Sequence, residues 1–418
     1  MNPIKFERFK LPNGLTVILH EDHSTPIVVV SVLYHVGTKN EKPGLSGFAH
    51  FFEHLLFEGS DNIGRGEFDK YLKAAGGTNN AYTMQDRTYY YEIVPSNQLP
   101  LALWLESERM LHAKVDAKGV ETQRQVVKEE RRQRTDNQPY GKIVEEIMSR
   151  AFKVHPYKTT PIGSMADLDA AKEIDYVNFY HDFYLPDNAV LTIAGDLTPA
   201  QVKPMIEKYF STIPKSSKPI FRPTVVEPPL GQEIRDTVYD KVQLPAVVAA
   251  YRSPAETTDD FYAMTMLNTL LAQGQSSRIY KSIVDEQQLA IAAGSFSFPL
   301  EDPGITIVFG IANLGVDPQK LENAINTQID KVKTELISEN EFQKLRNQIE
   351  SSLVNKNASV EGIAQNLAVF ETHYGDANLI NTEINKYLKV TREDLQRVAK
   401  KYLDKNNRVL LYWLPKAQ

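Results

Sequence analysis

"GLSGFAHFFEHLLFEGS", residues 44–60, places two of the chain's nine histidines four positions apart, with a glutamate immediately before the second. The apolar spacing predicts a helix. At about 100° per residue, His50, Glu53 and His54 fall within one narrow arc, while Phe48, Phe51, Phe52, Leu55 and Leu56 gather on the opposite side. The greasy face can bury against a sheet while the His/Glu face looks into a cleft. An i, i+4 histidine pair lets two imidazoles reach one tetrahedral zinc. A catalytic zinc also needs a third protein ligand and an open position for water, and Glu53 is placed to act as that water's general base.

The third ligand is expected on a later helix. There are no cysteines, so it must be a histidine or a carboxylate. The stretch "ETQRQVVKEERRQR" offers Glu121, Glu129 and Glu130. Taking Val126 and Val127 as that helix's apolar pair, Glu130 points most nearly inward, and Glu129 is displaced by about 100° toward solvent.

Outward from these motifs, 418 residues exceed one ordinary core, and 42% hydrophobic with 24% charged residues is a globular composition. A net charge of −6 leaves no electrostatic footprint for nucleic acid. "PIVVVSVLYHVG" is far short of the roughly 20 residues a membrane helix needs, and the N-terminus shows no signal-peptide core. The expectation is therefore a cytoplasmic protein without nucleic-acid or membrane partners, or a periplasmic one if a leader was removed.

Strands are expected at "LPNGLTVILHED" and "PIVVVSVLYHVG", then the histidine helix and a second helix at "GRGEFDKYLKAAGG". Strand follows at "NNAYTMQDRTYYYEIVP", then two long helices, and a strand–helix pair at "YLPDNAVLTIAGDLTPAQVKPMIEKYF" with Thr198 as cap. Residues 213–233 carry five prolines and read as an extended connector. The second half echoes the first. "YLPDNAVL" (184–191) returns as "YLDKNNRVL" (402–410), and "HLLFEGS" (54–60) as "TLLAQGQS" (269–276), offsets of 218 and 215 residues. Two related α+β domains follow, each a mixed or antiparallel sheet with packed helices: 1–212, then 234–418 beyond the linker. Aligning Leu55 with Leu270 puts Thr265, Asn268 and Thr269 at the His50, Glu53 and His54 positions, so the second domain is expected to hold no metal.

With "FAHFFEHLLFEGS", "GGTNNAYTMQDRTYYYEIVP", "VVKEERRQRTDNQPYG", "HPYKTTPIGS" and "FYLPDNAVLTIAGDL" in this order, the chain resembles the pitrilysin/insulysin/mitochondrial processing peptidase family. The H-x-x-E-H order is the inverted zinc-peptidase motif. The resemblance implies a zinc endopeptidase acting on extended or unfolded peptides. His50, His54 and Glu130 would be ligands, Glu53 the base, and Asn80 and Ala81 the edge-strand positions holding substrate backbone. It also implies the half-length branch, in which two chains build one clamshell chamber. Where the family has a second supporting glutamate this chain has Gln123. The arginine and tyrosine that touch substrate in homodimeric members are missing from 304–320. The implied partner is a homologous subunit without the zinc motif, with a homodimer as the alternative. A non-catalytic scaffold subunit is the competing function.

Overall fold

The computed structural model describes residues 3–416. Its first half runs β1 (Glu7–Lys10), β2 (Thr16–Glu21), β3 (Ile27–Tyr34), α1 (Phe48–Leu55), α2 (Glu67–Ala74), β4 (Thr78–Thr83), β5 (Thr88–Pro95), α3 (Leu99–Leu111), α4 (Ala117–Arg131), α5 (Ile143–Ala151), α6 (Met165–Ala170), α7 (Glu173–Phe183), β6 (Ala189–Gly195) and α8 (Pro199–Phe210). The second runs β7 (Ile234–Asp240), β8 (Ala246–Arg252), α9 (Asp259–Ala272), β9 (Ala290–Phe298), β10 (Ile305–Ala312), α10 (Pro318–Thr334), α11 (Glu339–Lys356), α12 (Val360–Tyr374), α13 (Leu379–Lys389), α14 (Arg392–Tyr402) and β11 (Arg408–Pro415). Residues 214–233 contain neither helix nor strand, as five prolines dictate.

The strands form two mixed sheets, ordered β1-β2-β6-β3-β5-β4 and β7-β11-β8-β10-β9. Without β1 the two orders are the same. In each, the first strand runs parallel to the last, β2 to β6 and β7 to β11, and the other pairings are antiparallel. Four of the five equivalent strand pairs start at a nearly constant offset, 234 − 16 = 218, 246 − 27 = 219, 305 − 88 = 217 and 408 − 189 = 219, and the edge pair β4 and β9 at 290 − 78 = 212. The weak sequence echoes are thus a structural repeat. "NNAYTMQDRTYYYEIVP", expected as one strand, is a hairpin of β4 and β5, paired from Thr78↔Ile93 to Thr83↔Thr88.

The compact units are not the two continuous domains drawn from the sequence. One comprises the residues up to Arg132, Thr159–Thr224 and Val354–Thr382; the other comprises Gln133–Lys158, Val225–Leu353 and the residues from Glu383 on. The cause is a reciprocal exchange. α12 packs on β6 and β3 of the first sheet, and α5 packs on β11 and β8 of the second. These helices are counterparts in the repeat, since 360 − 143 = 217. Each sheet therefore has both faces covered, which is why β3 and β8 read as unbroken apolar runs rather than alternating ones. Val28, Val30, Val32 and Tyr34 join the larger core with α1, α3 and α7. Leu33 faces Leu367 and Ala368 of α12, and Val29 packs with Ala364. Among the described residues no helix is long and apolar enough to cross a membrane.

Candidate metal centre

α1 is held at three points. Its N-cap, Gly47, has a φ of +92° and no side chain to offer the first turn. Gly47 is required here because a Cβ would meet the Gly163 backbone at 3.0 Å. Glu41 caps the helix instead, accepting from the Gly47 and Ala49 N–H groups at 3.0 Å each. Burial pushes the Glu41 carboxyl up to about 8, against the downward pull of the Ala49, Gly47 and Phe48 N–H groups.

In mid-helix, the Tyr90 hydroxyl donates to the Phe52 carbonyl at 2.9 Å. At the C-terminal end, Arg109 Nε donates to the Leu56 carbonyl at 3.4 Å, a cation against the negative end of the helix dipole. Arg109 is fully buried with Glu92 and Glu106 and lies 4.5–4.6 Å over the rings of Phe57, Phe68 and Tyr90. Phe48, Phe51 and Phe52 are almost wholly buried, the first two against Tyr176 of α7 at ring distances of 4.4 Å.

With the apolar side so fixed, His50 and His54 project from the other side. His50 is buried, and Glu53 and His54 are half-buried. Glu53 lies close enough to the Tyr90 and Tyr184 hydroxyls that its charge adds to the upward push of burial on both.

α4 brings the carboxylate. Asp116 caps it by accepting from Gly119 N–H at 2.8 Å, and Val120 and Val127 are its buried apolar residues. Val126, taken with Val127 as an apolar pair, is instead 44% exposed, so the inward face is centred on Val127. Glu121 pairs with Arg124 and Glu129 with Arg132, both on the solvent side. Glu130 faces the histidines, its Oε2 lying 3.0 Å from His54 Nε2 and 3.5 Å from His50 Nε2. The two Nε2 atoms are 3.4 Å apart. Neighbouring ligand atoms on a tetrahedral zinc with bonds of about 2.0–2.1 Å stand about 3.3–3.4 Å apart. All three edges of this triangle are close to that value, so the donor set fits the ion. Among the described residues it is the one group of three or more potential ligands close enough to share a metal.

Asn80 and Ala81 lie on β4, which has β5 as its one neighbour and stands at the sheet edge against α1. Asn80 Oδ1 accepts from the Ala81 N–H at 2.9 Å. Gln123, on the Glu130 face of α4 but two turns earlier, donates from Nε2 to Glu58 at 2.5 Å. Glu58 was not singled out from the sequence: it follows the helix, and its partner lies 65 residues away. In the second unit, α9 occupies the place of α1. Thr265 and Thr269 are half-buried there and Asn268 is buried, with the Thr269 hydroxyl donating to the Thr265 carbonyl at 3.0 Å.

Two family models match the chain: "Insulinase (Peptidase family M16)" over residues 16–163 and "Peptidase M16 inactive domain" over residues 175–349. The chain is 32% identical over 414 residues to the zinc protease PqqE of Helicobacter pylori, covering 98% of this chain and 93% of the relative. A crystal structure of a protease from Helicobacter pylori superposes with a TM-score of 0.94 at 31% identity, over 98% of this chain and 100% of that one. A peptidase M16 inactive domain from Pseudomonas fluorescens, 15% identical, shares the fold with a TM-score of 0.89 over 99% and 98% of the two chains. From its fold and these relatives together, the chain belongs to the insulinase-type peptidase family M16.

Proposed function

We propose that the chain is a zinc-dependent endopeptidase, with His50, His54 and Glu130 holding the ion and Glu53 serving as the base. The observation that carries this reading is the 3.0–3.5 Å triangle of two imidazole nitrogens and one carboxylate oxygen beside an open strand edge. Zinc, when bound, supplies a Lewis acid that polarises the scissile carbonyl and brings the pKa of water to about 7. Glu53 takes the proton from the attacking water and passes it to the leaving amine. The free edge of β4 offers main-chain hydrogen bonds to any extended peptide, so substrates are extended or unfolded chains. An arriving carbonyl at the Ala81 N–H displaces the Asn80 side chain, which is then free to bond the peptide itself.

The strand β10 and the start of α10 carry neither an arginine nor a tyrosine across 304–320. We therefore assign the active form to an assembly with a homologous subunit that lacks the zinc motif, a homodimer being the other arrangement.

Elemental analysis of the purified chain tests the reading without depending on a partner. About one zinc per chain is expected, lost in His50→Ala and in Glu130→Ala and retained in Glu53→Gln. No zinc in the parent after supplementation at neutral pH would favour the non-catalytic subunit instead.

A further inference from the structure

Gln123 stands seven residues before Glu130, so the two share one face of α4, the face turned toward α1. Its Nε2 is committed to Glu58 Oε1 at 2.5 Å, which fixes the orientation of the amide. The amide oxygen is buried and has no hydrogen-bond partner. A buried acceptor without a donor is costly, so the orientation of this amide is one that the Glu58 hydrogen bond must hold. Glu58 is itself braced. Its Oε2 accepts from Arg65 Nη1 at 2.8 Å, and Arg65 Nη2 reaches Asp116, the N-cap of α4. The helix bearing His50 and His54 is thereby tied to the helix bearing Glu130 through Glu58, at a side chain that itself contacts neither histidine nor glutamate of the triangle among the contacts described.

We propose that Glu58 is a positioning residue for the metal centre: its carboxylate orients Gln123, so that the amide oxygen faces the site as an acceptor, and braces the two ligand-bearing helices against each other. The acidic support at this centre is thus carried by the segment after α1 and transmitted through an amide on α4. This inference rests on the zinc reading above.

Zinc dissociation constants, measured by competition with a chromogenic chelator, test it alongside the thermal midpoints of the metal-free proteins. Glu58→Ala is expected to weaken zinc binding about ten-fold, at the lower end of what support-residue changes cost, and to lower the metal-free midpoint somewhat, because the Gln123 amide loses its acceptor and Arg65 keeps only Asp116. Glu58→Gln keeps one acceptor for Gln123 and should lose no more than about three-fold. Gln123→Glu sets two carboxylates against each other and should weaken binding about as much as Glu58→Ala. The double change Glu58→Gln with Gln123→Glu restores the hydrogen bond with its polarity reversed, and should return the affinity to within about three-fold of the parent. Equal zinc affinity in the parent and Glu58→Ala overturns the proposal and leaves the function untouched. So does a midpoint that falls while the affinity stays constant, which marks a strut and nothing more. A parent that takes up no zinc overturns the functional reading and this proposal together.

Discussion

α1 and α9 follow equivalent strands of one repeated sheet, yet only α1 carries the histidine pair. α9 is wrapped by its own core: Ala263, Met264, Met266, Leu267, Leu270 and Leu271 are all buried, and Asn268 with them. α1 is shorter and buries one side, leaving Glu53 and His54 half-open on the other. At the second histidine position the Thr269 hydroxyl donates back to the Thr265 carbonyl along the helix. The repeat keeps the sheet because its central strands bury two faces, but Thr265 and Thr269, half-buried as His54 is, put no imidazole on α9.

The largest way to break this contrast is to remove the group that only α1 supplies. Glu53→Gln should lower peptide cleavage by about 10²–10⁴-fold, the usual contribution of a general base, at unchanged zinc content. Cleavage by that variant within ten-fold of the parent would mean that Glu53 is not the base.

Next is the buried charge behind α1. Glu92, Glu106 and Arg109 are fully buried, with two carboxylates for one guanidinium. Burial and the neighbouring Glu106 push the Glu92 carboxyl well above its ordinary value, against the pull of Arg109. Arg109→Ala strands Glu106 in the core and releases the Leu56 carbonyl, and should cost about 3–5 kcal/mol of stability by denaturant unfolding. A loss below 1 kcal/mol would show that the knot is expendable to the first unit.

A change in the other direction sharpens the comparison. Asn268→Glu copies Glu53 into α9, but into a site with 3% exposure. The carboxyl must be buried, so a loss of about 2–3 kcal/mol is expected, with no metal gained. A neutral outcome would mean that α9 can open a face as α1 does.

The shared face of His50, Glu53 and His54 was legible in sequence because three polar residues at helical spacing sat opposite a continuous aromatic stripe, a local pattern. That Glu130 turns toward the histidines was legible although one premise for it fails: Val126 is exposed, and the inward face is set by Val127. The aromatic bed of α1 was within reach, since Tyr176, Phe179, Tyr180 and Phe183 follow helical spacing, but it went unread. The helix exchange was not legible. That Leu33 packs on Leu367 leaves no mark within any window of sequence, and an unbroken apolar strand says only that both faces are covered, not by what. Glu58 was hidden for the same reason, its meaning lying in a partner on another helix.

The smallest expected effect compares the two buried charge clusters. In the second unit the charges balance, with Arg235 and Arg408 each paired with both Glu233 and Glu322. Burial alone would raise the Glu322 carboxyl, but hydrogen bonds from Arg235 and Tyr412 and the charges of Arg235 and Arg408 hold it at about 2. A carboxyl whose folded value lies below its unfolded value of about 4.5 contributes stability that is complete above pH 4.5 and is lost as pH falls through 2. Glu92, with its value raised, contributes in the opposite sense: its share is present below pH 4.5 and is lost as pH rises. Glu322→Gln should therefore be less stable than the parent at pH 7, by about 1 kcal/mol, since Arg235 is solvent-exposed and Arg408 keeps Glu233 as its partner. The difference should shrink as the pH is lowered from 5 toward 2. Some acid sensitivity will remain in the variant, because Asp260 is also held at about 2, against its burial, by Lys401, Arg397 and Tyr402. Denaturant midpoints at pH 7, 5, 4 and 3 read this directly. A gap between parent and variant that stays constant over that range would show that Glu322 keeps the same proton affinity folded and unfolded, and that its cluster contributes packing rather than charge.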